Sequence, residues 1–209
     1  MNLCEELIYS LIQQMGIGEV TEYQGKQINW SLPWKKARWE DLLKEETGVD
    51  FGSMESEEEV RKQANRLGVD ASTAVPFHKV FDHLFDHFVL PRVSSPLFVL
   101  DYPARFSPLA KTVPDNPRRA QRFEMFIAGV EIANAYSELN DPLEQRKKME
   151  EQAHQREGGA VDEDYLKALE YGLPPCGGLG IGIDRMVMVL MNVPSIRDAI
   201  LFPQLKPED

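Results

Sequence analysis

Gly177-Gly178-Leu179-Gly180-Ile181-Gly182-Ile183-Asp184-Arg185 runs straight into the apolar stretch Met186-Val187-Met188-Val189-Leu190. Glycines alternating with Leu179 and Ile181 read as a strand with one face bare of side chains, so its backbone can lie close against a ligand. The strand ends in an Asp-Arg pair that opens a helix, with Asp184 expected at the N-cap. A helix N-terminus offers unpaired N–H groups to an anion, and Arg185 adds a fixed positive charge beside it. A flat ligand carrying phosphates, a nucleotide first of all, suits that arrangement. The competing reading is a tightly packed or bulged strand whose arginine makes a structural ion pair.

Upstream lies a second segment, Phe123-Glu124-Met125-Phe126-Ile127-Ala128-Gly129-Val130-Glu131-Ile132-Ala133-Asn134-Ala135-Tyr136-Ser137-Glu138-Leu139-Asn140-Asp141. It reads as two strands around a tight Ala128-Gly129 turn, where glycine supplies a positive φ. A two-residue loop pairs Ile127 with Val130, Phe126 with Glu131, Met125 with Ile132 and Glu124 with Ala133. Glu124 and Glu131 then share a face as diagonal neighbours, roughly 7–8 Å apart. Two carboxylates so placed can hold a hard cation such as Mg²⁺ against substrate phosphates, or else they are two glutamates on a solvated face. Asn134, Tyr136 and Glu138 alternate along one face of the second strand and suit a small zwitterion with an extra positive charge. Strict alternation points Glu131 away from Asn134. Both serve one site only if a β-bulge lies between them, a device common beside active sites.

Together the two segments resemble the class II aminoacyl-tRNA synthetases, in particular their lysyl branch. Gly178 to Arg185 resembles motif 3 of that class, its ATP-binding strand and helix, and Glu131 to Asp141 resembles the strand lining the lysine pocket. Ser107-Pro108-Leu109-Ala110-Lys111, Asp162-Glu163-Asp164-Tyr165, Ala168 to Pro175 and Ile200-Leu201-Phe202-Pro203 add to the resemblance, which is close from about Pro96 onward and weaker before it. It implies an α+β fold, an antiparallel β-sheet flanked by helices, and activation of lysine with ATP before transfer to tRNA(Lys). By the same resemblance Glu124 and Glu131 bind Mg²⁺ and ATP. Asn134, Tyr136, Glu138 and Gly180 bind lysine, with Glu138 pairing to the ε-ammonium. Gly182 and Arg185 bind ATP, and Arg185 acts in catalysis. A related paralog that attaches β-lysine to an elongation factor is the nearest rival. Gly180, where that paralog carries alanine, and Asn140, where it tends to threonine, favour the tRNA enzyme.

Motif 1, motif 2 and the anticodon-binding barrel of the family have no counterpart in these residues. The opening helix from Leu3 resembles the one that follows motif 2, so the chain reads as the C-terminal portion of a synthetase catalytic domain, with a mostly helical part over 1–95 and the pocket strands and motif 3 over 96–209. Such a portion is expected to adenylate poorly alone, and a non-catalytic binding module is the alternative from another functional class. A homodimer is expected of the full-length enzyme.

The 209 residues can bury one substantial core, and a formal charge of −11 is wrong for a free-standing nucleic-acid binder. Glu57-Glu58-Glu59 reads as a solvated helix face. Two cysteines, Cys4 and Cys176, make no disulfide framework, and no apolar run is long enough to span a bilayer. Cytoplasm is therefore the default compartment. Helices are expected over 2–15, 39–46, 55–67, 76–89, 142–157 and 163–171, a hairpin over 20–32, and a strand over 97–102. Val80, Phe81, Leu84, Phe85 and Phe88 keep helical spacing and read as core. His83 and His87, four apart on that helix, read as structural or surface residues rather than zinc ligands. Cys176 carries no expected role.

Overall fold

Residues 1–54, 56–154 and 159–203 are described by the computed structural model. The chain opens with helix α1 (Asn2–Gln14), hairpin strands β1 (Val20–Tyr23) and β2 (Lys26–Asn29), and a short strand β3 (Lys35–Arg38). Three helices follow, α2 (Trp39–Thr47), α3 (Glu57–Arg66) and α4 (Phe77–Phe88), before strand β4 (Leu97–Leu100). A small hairpin, β5 (Thr112–Val113) and β6 (Asn116–Ala120), precedes the long strands β7 (Arg122–Ile127) and β8 (Val130–Ser137). Helices α5 (Pro142–His154) and α6 (Glu163–Glu170) lead to β9 (Gly177–Ile181), α7 (Ile183–Met191) and α8 (Ile196–Ala199). The expected helix starting at Glu55 and the one reaching Glu157 each have that end outside the described residues.

The central sheet has the order β3-β4-β7-β8-β9. It is antiparallel from β4 to β9, while β3 joins β4 in parallel. No strand is expected between the hairpin over 20–32 and the helix over 39–46, so β3 is missed. Lys35-Lys36-Ala37-Arg38 has no alternating apolar pattern, and its extended state comes from backbone pairing with Leu97 to Leu100, which no local signal encodes. The β5–β6 hairpin is likewise absent from the sequence reading.

Strand alternation sends apolar residues to both faces of this sheet. On one side Leu97, Val99 and Phe126 pack under Trp39, Leu42 and Leu43 of α2, Val60 of α3, and Val80, Phe81, Leu84 and Phe85 of α4. The stacked rings of Trp39 and Phe85 lie 6.1 Å apart between the two helices. On the other side Phe98, Met125, Ile127, Ile132 and Ala133 meet Cys4, Ile8 and Ile12 of α1, Trp30 and Trp34, and Met186 and Val189 of α7. Each large side chain buried this way is worth about 1.5–3 kcal/mol, and both layers draw on β4 and β7, with β8 adding to the second. Glu57, Glu58 and Glu59 are exposed on the outer face of α3.

The junction after β9 differs from expectation in one detail. Gly182, not Asp184, is the N-cap of α7. Its N–H donates to the carbonyl of Ile132 at 2.8 Å, so the sheet ladder continues through residue 182 and the turn into helix comes at once after it. Asp184 sits inside the first turn, where its carboxylate still complements the positive helix end.

Candidate active site

The site is built on the register of β7 against β8. Ile127 pairs with Val130 and Phe126 with Glu131, as the two-residue turn dictates. The register then shifts: Met125 faces Ala133 and Glu124 faces Asn134, in place of the expected Met125–Ile132 and Glu124–Ala133 pairs. One extra residue on β8 is the bulge that the shared-site reading requires. Its cause lies in packing, because Ile132 and Ala133, neighbours in sequence, are both buried on the α1 and α7 side. With the bulge in place, Glu131, Asn134 and Tyr136 fall on the face that carries Arg122 and Glu124.

Next along the sheet, Asn134 pairs with Gly180 and Tyr136 with Gly178. The glycine face of β9 therefore continues the floor beside those two side chains. Glu138 follows on the same side: its N–H donates to the Cys176 carbonyl at 3.0 Å, and it bridges to Ala110 in the Ser107–Lys111 segment. A Cβ built on Gly178 would collide with Glu138 Oε1. Gly180 has ordinary room, the nearest atom to such a Cβ being the Asn134 carbonyl oxygen at 3.8 Å, and at Gly182 it would be Arg185 Cδ at 3.4 Å. Of these three glycines only Gly178 would bring an added Cβ into a clash, and the atom it meets is the movable end of the Glu138 side chain.

The two other carboxylates are both engaged. Glu124 accepts a hydrogen bond from the Tyr102 hydroxyl at 2.7 Å on Oε2, and its Oε1 is paired with Arg122 Nη2. Burial pushes the Glu124 carboxyl above the usual carboxylate range, nearby Glu131 adds to that, and Arg122 and Tyr102 oppose it. The Tyr102 hydroxyl is raised well above its ordinary value, by burial first and by Glu124 next. Glu131 Oε2 lies 3.1 Å from Arg185 Nη1, which also donates to the Glu131 carbonyl at 3.0 Å. Glu138 differs from both: burial raises its carboxyl, and among the described residues no cation pairs with it. Burial and then Glu138 also raise the Tyr136 hydroxyl.

A cleft of about 1330 Å³ reaches Arg122, Glu124 and Glu131 from the side of α4, with Phe77, Phe81 and Arg105 across from them. Asn134, Tyr136, Glu138 and the glycines are not in its lining; they lie further along the sheet toward its β9 edge. Sequence reasoning missed Arg122 and Tyr102, and offered Gly178 only as part of the glycine strand. Arg122 was within reach, standing two residues before Glu124 and so on the same strand face. Tyr102 was not, since only the fold brings it to Glu124.

Residues 1–206 match the family model described as tRNA synthetases class II (D, K and N). The chain belongs to that family. Among curated synthetases it is 45% identical over 215 residues to the lysine–tRNA ligase of Moorella thermoacetica, an alignment covering 100% of this chain and 44% of the relative. The lysine–tRNA ligases of Halalkalibacterium halodurans, at 45% identity, and Prochlorococcus marinus subsp. pastoris, at 44%, each match the whole chain with 43% and 42% of their own lengths. The chain thus spans less than half the length of the synthetases it matches. Neither His83 nor His87 enters the site, and His87 stacks edge-on against Phe88 at 4.7 Å.

Proposed function

We propose that this chain carries the amino-acid pocket and part of the nucleotide site of a lysine–tRNA ligase. In that reaction a lysine carboxylate oxygen attacks the α-phosphorus of ATP, the bond to pyrophosphate breaks, and the lysyl group of the adenylate then passes to tRNA(Lys). The observation that carries the reading is Glu138, a partly buried carboxylate that no cation pairs with among the described residues, lying against the bare backbone of Gly178. A partly buried carboxylate gives up some of its hydration, a loss that a ligand cation offsets, and the ε-ammonium of lysine is such a charge.

The remaining roles are those that the family resemblance implies. Tyr136 walls the aliphatic stem, and Asn134 faces the lysine carboxylate. Gly180 and Gly182 let the ligand approach the backbone. Arg185, beside the N-terminus of α7, holds the phosphates and the adenine, and neutralises charge that develops on phosphate during attack. Glu124 and Glu131 are hard oxygen donors on one face and suit Mg²⁺, which when bound supplies positive charge to the ATP phosphates. Their present partners, Arg122 and Arg185, show that this corner already balances carboxylate against cation. The names of the relatives, all lysine–tRNA ligases, support this reading over the elongation-factor paralog.

Lysine-dependent ATP–pyrophosphate exchange with Mg²⁺ tests the proposal, run on the 209-residue chain and on a longer chain that includes the segments preceding the matched region in the relatives. Exchange in the longer chain that disappears with Glu138→Gln supports it. Exchange that ignores Glu138, or needs a different amino acid, overturns it. Lysine binding without exchange by either chain would favour a non-catalytic module.

A further inference from the structure

We infer that Arg122 is a positioning residue that fixes which end of the Asn134 amide faces the ligand; the inference rests on the lysine-pocket reading above. Its guanidinium lies over the Tyr102 ring, 4.8 Å from the centroid. From there it spreads in three directions. Nε donates to Asn134 Oδ1 at 3.3 Å, Nη1 donates to Ser107 Oγ at 3.2 Å, and Nη2 pairs with Glu124 Oε1. Its side chain is 21% exposed, and Ser107 is buried. A guanidinium over an aromatic ring, with all three nitrogens engaged, has little freedom to turn.

Arginine donates and never accepts. Whatever faces Nε must therefore be an acceptor, which sets Oδ1 of Asn134 toward Arg122. Nδ2 is left on the other side of the amide, where one N–H reaches Glu124 Oε1 at 3.4 Å and the second remains for a ligand. Turning the amide over would place NH₂ against the guanidinium and a carbonyl oxygen against the carboxylate of Glu124. Both contacts would be repulsive. Arg122 and Glu124 thus read the amide from two sides and agree on one orientation, with the donor outward. A donor is what an amino-acid carboxylate needs, whereas an outward Oδ1 would repel it. Arg122 also sits directly opposite Tyr136 in the sheet register, so it spans the floor from the carboxylate corner to the lysine pocket.

The test is calorimetric binding of lysine and of lysinamide, whose carboxylate is replaced by a neutral amide, to the unsubstituted chain, Arg122→Lys and Arg122→Met. The lysine variant keeps a cation beside Glu124 but cannot both lie over Tyr102 and donate three ways. Lysine affinity is expected to fall roughly tenfold in both variants, in line with losing one hydrogen bond to a charged group. Lysinamide affinity is expected to stay within about twofold, because an amide ligand accepts either end of Asn134. The Asn134 side-chain amide resonances should also shift in Arg122→Lys while its melting temperature stays close to that of the unsubstituted chain. Equal losses for both ligands would reduce Arg122 to a general structural role and overturn the inference, as would undiminished lysine binding by Arg122→Lys. An unsubstituted chain that binds neither ligand would instead overturn the lysine-pocket reading, and the inference with it.

Discussion

At the residue scale the chain sets stability against ligand recognition, most clearly at Glu138. Its carboxyl is raised by burial in the folded protein, so the folded form binds a proton at pH values where the unfolded form has already lost it. Stability therefore falls as pH rises through that window, and the loss is complete above the folded-state value. Glu138→Gln should unfold at higher temperature than the unsubstituted chain at neutral pH, with the gap closing on acidification. The same substitution should weaken lysine binding at least tenfold, the order expected for a lost charged hydrogen bond. A variant no more stable at pH 7, or one that still binds lysine fully, would remove Glu138 from the pocket. Acidification should also release lysine from the unsubstituted chain at a higher pH than an ordinary glutamate would give. Gly178 is the complementary case. Alanine there would push the end of the Glu138 side chain aside rather than collide with backbone, so the fold should tolerate it. Gly178→Ala is expected to leave the melting temperature nearly unchanged and to raise the lysine Kd severalfold; unaltered affinity would mean that the Glu138 carboxylate can act from elsewhere.

Among the elements, the β7–β8 hairpin does most to create the site. Its turn places Ala128 at φ +52° and Gly129 at φ +84°, and the turn is clamped from outside. Lys26 Nζ donates to the carbonyls of Leu90, Val93 and Ala128 at 3.4, 3.2 and 3.4 Å. A Cβ on Gly129 would come within 2.9 Å of the Leu90 carbonyl oxygen. Gly129→Ala should therefore cost about 2 kcal/mol, combining the left-handed backbone penalty with that contact, as read by urea unfolding. A loss near zero would show that the clamp moves freely. Beyond the turn, the bulge converts a strand that alternates correctly near Val130 into one that alternates correctly from Asn134 onward. Parity alone requires such a bulge if Glu131 and Asn134 share a site, and burial of both Ile132 and Ala133 explains where it falls. Helix α7 shows the same dependence on its surroundings. Its C-cap, Asn192 at φ +52°, accepts from the Gln24 N–H at 2.9 Å, tying the helix to the β1–β2 turn.

For the whole molecule, one sheet separates two cores, and the site occupies the part of one face that α2 to α4 leave uncovered. Beyond that face the sheet ends at β9, beside whose outer edge no strand lies among the described residues. Around it Leu179, Ile183, Met191, Leu201 and Phe202 are exposed. An open edge with apolar residues nearby invites pairing, while a net charge of −11 opposes it. At physiological salt, charges more than about 8 Å apart are largely screened, so the edge should prevail. The 209-residue chain is expected to sediment with a weight that rises with concentration at 0.15 M salt, and Leu179→Lys should suppress the rise. Sedimentation that is independent of concentration would show the edge to be harmless.

The sequence by itself determined the helices, because apolar spacing and glycine or proline stops are local properties of α1 and α4. It also offered Glu124, Glu131, Asn134, Tyr136, Glu138 and Arg185 as candidate site residues, through the family resemblance, and it made the bulge a condition of a shared site. Tertiary structure alone decided the parallel edge strand β3, which depends on β4, with Lys35 paired to Leu97. It decided that Gly182 rather than Asp184 caps α7, because the ladder to Ile132 runs one residue past the strand. It decided as well that Tyr102 reaches Glu124 and that Arg122 orients Asn134. Hydrogen bonds between residues far apart in the chain leave no periodicity to read; they exist only once the sheet has set its register.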